Sequence, residues 1–294
     1  MNPSLNVLPD ITHLVMGYLT LIGVSSVRLF VIMTIFPPSA DGVLQGPVRN
    51  AIVILFSTFV AYGQPLAFGE QLHGAALVEL GLREGMIGLV LGFAASSVFW
   101  VAECAGYYID DLTGYNSAQV QNPLRNEQAT PTATLLQQVA TVAFWSLGGM
   151  SFLLGTLYES YQWWPLTAHS VDVSSVLEAF ALKETDTLMQ QVAKLAAPAV
   201  MILLLIDFAF AFAAKSASKL ELMGLSQPVK GAVAVLLLAL FVGVFVDQVR
   251  DQLTLSAFTS QFRAWADAAH AADANPVAHP VSPPGLPLFS PDAK

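Results

Sequence analysis

LLQQVATVAFWSLGGMSFLLGTL, residues 135–157, holds no charged side chain over 23 positions. At a helical rise of ~1.5 Å per residue, a run of that length crosses the ~30 Å hydrocarbon core of a bilayer. Three further runs flank it in the chain. Residues 14–36 hold one charge, Arg28; residues 195–214 hold Asp207 alone; residues 229–246, slightly short, are clean after Lys230. The whole composition agrees: 55% of the 294 residues are hydrophobic and 11% are charged, against about 25% charged in soluble domains. Mean hydropathy is +0.60. The charges cluster between the apolar runs, which is the pattern of an integral membrane protein. A net charge of −9 disfavours nucleic acid as a partner. Cys104 is the single cysteine, which excludes an intrachain disulfide and a cysteine-based metal cluster.

Two shorter apolar pieces are harder to place. Residues 51–62 are followed at once by Gly63 and Pro65, and residues 86–101 begin just after Glu79, Arg83 and Glu84. Either flanking polar turns that face protein extend them, or they form the two arms of a buried hairpin broken at Gln64-Pro65, since proline removes a backbone donor and ends or kinks a helix. The expectation is an all-α, polytopic helical membrane protein of about six helical segments, some of them broken or paired as hairpins. The first ten residues carry no basic residue, so the first run is read as a retained span and not a cleaved signal. The connections differ: 104–134 is long and polar, 158–191 is acidic with YQWWP at 161–165, and 215–228 is basic. The Trp163-Trp164 pair suits an interfacial belt, and Lys215, Lys219 and Lys230 put their connection on the cytoplasmic side. The remaining basic residues do not decide the orientation. The division expected is a membrane domain over 1–262 and an Ala/Pro-rich, disordered tail over 263–294.

Charges within apolar runs mark function or pairing, because one at the centre of a lone inserted helix is disfavoured by roughly 2.5–3.5 kcal/mol. For Arg28 and Asp207 the candidates are an ion or proton pathway, or pairing with each other or with a neighbouring subunit. Pairing is preferred, since a transporter usually shows more than one acidic residue in its spans. Gly81, Gly85, Gly88 and Gly92 fall at spacings of four, three and four and form one bare stripe on a helix, read as a packing seam where backbones approach closely and of use in a tight multi-subunit assembly. Glu79 and Arg83, at i and i+4, can neutralise each other. The five histidines are scattered, and no HExxH, GxSxG or Walker loop occurs, so no catalytic residue, cofactor or metal is assigned. Residues 106–131, GYYIDDLTGYNSAQVQNPLRNEQATP, lie between two apolar helices and combine Gly106, Gly114, an Asn122-Pro123 turn signal and small polar residues. That loop is either an ordinary surface connection or a segment that lines or occludes an aqueous path, because irregular backbone at membrane depth is tolerated only in protein or around water.

With these motifs in hand, the chain resembles the FliR/SctT family (SctT is also called HrcT, SpaR or YscT), inner-membrane components of the type III secretion export apparatus. The order carries the resemblance: REGMIGLVLGF at 83–93, AGYYIDDLTGYNSAQVQNP at 105–123, a long apolar helix with Gly148-Gly149, SYQWWP at 160–165, and LIDFAFAFAAKSASKLELMGLSQPVKG at 205–231. It spans roughly residues 10–260, and SYQWWP and QPVKG look more like the virulence branch than the flagellar one. The resemblance implies a non-enzymatic subunit of a helical, pore-forming assembly in the bacterial inner membrane, with SctR-like and SctS-like partners, SctU-like and SctV-like components nearby, and unfolded secreted proteins in transit. It implies helices lifted partly out of the bilayer. The family's plug loop would correspond to residues 114–131, with Gly114, Tyr115, Asn116, Gln119, Gln121, Asn122, Pro123, Arg125, Glu127 and Pro131 as its gate residues. Asp110-Asp111 and Arg125 with Glu127 put more charge there than an apolar gasket would carry, which suggests a polar or salt-bridged seal. The competing readings are a self-contained secondary transporter, for which no internal repeat is visible between 14–101 and 135–246, and an intramembrane hydrolase, which would want a second central aspartate beside Asp207.

Overall fold

The structure, a computed structural model, describes residues 7–122, 127–167, 173–216 and 223–253. Among them eight α-helices follow in order: α1 Val7–Ile35, α2 Gly46–Tyr62, α3 Leu66–Gln71, α4 Ala75–Thr113, α5 Pro131–Ser146, α6 Gly149–Trp163, α7 Val173–Ser216 and α8 Met223–Leu253. Between α4 and α5 lie a 3-10 turn, Tyr115–Ser117, and two short strands, β1 Val120–Asn122 and β2 Glu127–Ala129. The expected tail at 263–294 and the centre of the basic connection, 217–222, lie outside the described residues.

The hub is α4, which packs against α1, α5, α7 and α8. Its 39 residues span about 58 Å at a rise of 1.5 Å per residue, nearly twice a bilayer core. Residues 86–101 are therefore the middle of one long helix, not an arm of a hairpin with α2. What made them look short was Glu79, Arg83 and Glu84, yet Glu84 is fully buried in protein and needs no water. Residues 51–62 do end at Gly63 and Pro65, which cap α2 and start α3, and both of these helices lie against α1. The helices α1, α4 and α7 are long and apolar enough to cross a membrane, and the α5–α6 pair makes a fourth if counted as one span.

That pair departs from the uninterrupted span read over 135–157. The chain turns by 74° between α5 and α6. Gly148 adopts a left-handed φ of 74°, open to glycine without steric cost, and a side chain on Gly149 would overlap the Phe144 ring. The bend leaves Phe144 in the core with Phe36 and Phe99, ring centroids 5.0–6.0 Å apart and edge-on. Two other expectations change. Most of the acidic connection is helix, since 158–163 belong to α6 and 173–191 to α7. Trp163 and Trp164 are not an interfacial belt but lie buried in the core, 8% and 2% exposed.

Close approach of α1 and α4 depends on two members of the glycine stripe. A Cβ on Gly88 would sit 2.6 Å from the Arg28 carbonyl oxygen, and one on Gly92 would sit 3.1 Å from the Cα of Ile32, one turn along α1. Gly85 approaches only the Val27 side chain, at 3.8 Å, and nothing lies within 4 Å of Gly81. The tight contacts of the stripe are thus made inside this chain. Gly88→Ala is expected to lower the melting temperature of the purified protein, because backbone cannot yield as a side chain can and overpacking costs about 1–3 kcal/mol. Gly81→Ala, in open space on a helix, is expected to be neutral or to gain up to ~1 kcal/mol. Equal melting temperatures for the two variants would contradict the seam.

Candidate functional site

The segment between α4 and α5 is built around a neck. Helix α4 stops at Gly114, whose φ of 81° only glycine adopts freely and whose N–H bonds back to the Asp110 carbonyl. Helix α5 starts at Pro131, a favoured first position because its missing N–H would have no partner there. Thr130 occupies the cap position of α5 but makes no side-chain cap. The carboxylate of Asp110, on α4, does so instead: its Oδ2 accepts the N–H of Thr132 at 2.8 Å and that of Ala133 at 3.4 Å. One turn earlier, a side chain on Gly106 would run into the backbone of Ala133, so the two helices meet there without side chains between them. Asp110 is fully buried and belongs to this neck, not to the exposed charge of the loop; Asp111 alone faces outward.

From the neck the segment projects outward. Tyr115, Asn116, Gln119, Gln121 and Gln128 are exposed, and β1 pairs antiparallel with β2 with Val120 opposite Ala129 and Asn122 opposite Glu127. Asn122 is the exception, 1% exposed, and its amide donates to Gln137 Oε1 at 2.6 Å while Gln137 donates to Glu103 Oε2 at 2.8 Å. The base also rests on α8: a side chain on Gly114 would meet Gln227, and one on Gly231 would overlap the Tyr115 hydroxyl. Pro123, Arg125 and the side chain of Glu127 lie outside the described residues.

The two span charges are not partners of each other. Arg28 on α1 and Glu84 on α4, both fully buried, meet at 2.8 Å. The Arg28 guanidinium also donates to Ser160 Oγ at 2.7 Å and to the Trp164 carbonyl at 3.2 Å, and its Cζ lies 3.9 Å above the Tyr161 ring. Arg83 reaches the other Glu84 oxygen at 3.3 Å and the carbonyls of Pro165 and Leu166. SYQWWP is therefore the socket for a buried arginine. Asp207 on α7, 40% exposed at its side chain, pairs with Lys230 on α8 at 3.0 Å. Sequence reasoning missed Glu84, Asp110, Gln137, Ser160 and Lys230 as anchors. Only Gly106 with Asp110, at i and i+4 on one face, left a readable trace.

Residues 19–255 match the model of the family described as bacterial export proteins, family 1. The chain is similar to the Yop proteins translocation protein T of Yersinia pestis, 31% identical over 218 residues, or 73% of this chain and 82% of that one. It is 27% identical to the secretion system apparatus protein SsaT of Salmonella typhimurium over 226 residues, 75% of this chain and 86% of that one. With the flagellar biosynthetic protein FliR of Bacillus subtilis the identity is 25% over 178 residues, 60% and 69% of the two chains. The neck, the projecting segment and the Arg28 socket all fall within the matched residues.

Proposed function

The chain belongs to the bacterial export proteins, family 1, and from that premise we propose that it is a non-enzymatic, multi-pass subunit of a type III protein-secretion apparatus in the bacterial inner membrane. In this reading it joins SctR-like and SctS-like subunits, with SctU-like and SctV-like components beside them, to form the path of unfolded substrates. The segment over 114–131 closes that path. The names of its relatives, translocation and secretion-apparatus proteins among them, support the setting. One observation supports the closing role: a polar segment is fastened at its neck, and beyond the neck Asn116, Gln119, Gln121 and Gln128 are exposed. A gate works by occupying space through contacts weak enough for an arriving substrate to displace, which exposed Asn and Gln side chains can supply. The length of α4, well beyond one bilayer core, fits helices that stand partly out of the membrane. A self-contained transporter fits less well, because Arg28 and Asp207 each contact an opposite charge within the chain.

The setting is tested by tagging the protein at its own locus and purifying it gently from its native membrane. It is expected to emerge in a complex with other integral-membrane subunits, and cells lacking it are expected to secrete nothing through the apparatus. A stable, monodisperse lone subunit together with unimpaired secretion in the deletion strain would overturn the reading.

A further inference from the structure

We infer that Asp110 is the positioning residue that ties the neck of the gate segment, holding the end of α4 to the start of α5 so that the two ends of the segment stay together. The inference rests on the gate reading above. Three observations carry it. First, the leading N–H groups of a helix need an acceptor from outside, and α5 takes its acceptor from α4, 22 residues earlier in the chain. Thr130, placed to cap locally, does not do so, and its own hydroxyl is buried without a partner. Second, the carboxylate is fully buried and uses one oxygen for both N–H groups, while the other oxygen has no partner. A charge so placed is stabilised by the helix N-terminus it faces, and it loses that support if α5 moves away. Third, Gly106 lets the two backbones touch, which brings a side chain as short as aspartate within reach. The Asn122, Gln137 and Glu103 chain braces the same two helices from the strand side.

A cap and a tether differ in one respect: a cap can be supplied from either side, but a tether must come from α4. The test therefore uses Asp110→Ala alone, Asp110→Ala with Thr130→Asp, and Asp110→Asn, each in cells carrying the full apparatus. Thr130 has extended backbone angles suited to a capping residue, and aspartate matches threonine in size and is a strong cap. Native gels report assembly, and uptake of a small, normally excluded solute reports closure. A variant with residues 118–128 replaced by Gly-Gly sets the uptake of an open gate. The double variant is expected to assemble like the parent yet take up solute well above it, because α5 is capped again while the neck is untied. Assembly and uptake both at the parent level would reduce Asp110 to a cap and overturn the inference. Where the double variant fails to assemble, Asp110→Asn decides, since it keeps the shape with a weaker acceptor: uptake above the parent upholds the tether, and uptake equal to the parent overturns it. If shortening the segment leaks and the double variant does not, the gate stands and the tether falls. If shortening it does not leak, the gate reading falls and takes the tether with it.

Discussion

Arg28→Ala is expected to deplete the folded protein severely and to do so before any question of transport arises. The substitution leaves Glu84 fully buried with its closest cation gone, and it strips Ser160 and the Trp164 carbonyl of their donor. Breaking a buried pair from one side costs about 3–5 kcal/mol, a large share of the roughly 5–15 kcal/mol that holds an ordinary domain together. Three separate stretches of chain meet at that guanidinium, on α1, α4 and the end of α6, so the loss would loosen all of them. Arg28→Lys keeps the charge but not the planar fork that reaches Glu84, Ser160 and Trp164 at once, and it is expected to fall between. Replacing both partners, Arg28→Met with Glu84→Leu, is expected to recover much of the loss, because an apolar pair of similar volume is often no worse than a buried ion pair. The check is the yield and melting temperature of the three variants in detergent. Arg28→Ala with parent-like stability, coupled to a complete loss of secretion, would mean instead that Arg28 serves transport directly.

Much of this architecture was legible in the apolar runs, and the exceptions share one physical cause. Charge was read as a sign of water, so Glu79, Arg83 and Glu84 appeared to delimit a short helix. They lie inside a long one because Glu84 finds Arg28, 56 positions away, and no periodicity reports a contact at that separation. The same reasoning hid Asp110, counted as loop charge although it caps a helix that starts 21 residues further on, at Pro131. The opposite error occurred at 135–157, where the lack of charge outweighed Gly148-Gly149 and concealed a 74° turn. Trp163 and Trp164 illustrate it from the aromatic side, since a tryptophan pair at a span end looks interfacial until its neighbours are known. Of the loop read over 106–131, only the end at Pro131 was legible as a local signal; residues 106–113 continue α4 up to the Gly114 cap, and the narrower bounds 114–131 came from the family resemblance. The segment's anchors on α4, α5 and α8 are tertiary and left little trace.

In the proposed function, residues 114–131 close a path through the assembled complex. Replacing residues 118–128 by Gly-Gly removes most of the segment's exposed residues but spares Gly114, Tyr115, Asp110 and the first turn of α5. The body of the chain is then expected to fold and assemble with only the Asn122 brace on Gln137 lost. An equal deletion after Asp273 serves as the control. In cells expressing the full apparatus, with assembly verified on native gels, entry of a small solute that the inner membrane normally excludes is the deciding measurement. A severalfold rise in uptake for the shortened segment, with the control at the parent level, is the predicted result; uptake at the control level in fully assembled complexes would show that residues 114–131 only connect two helices.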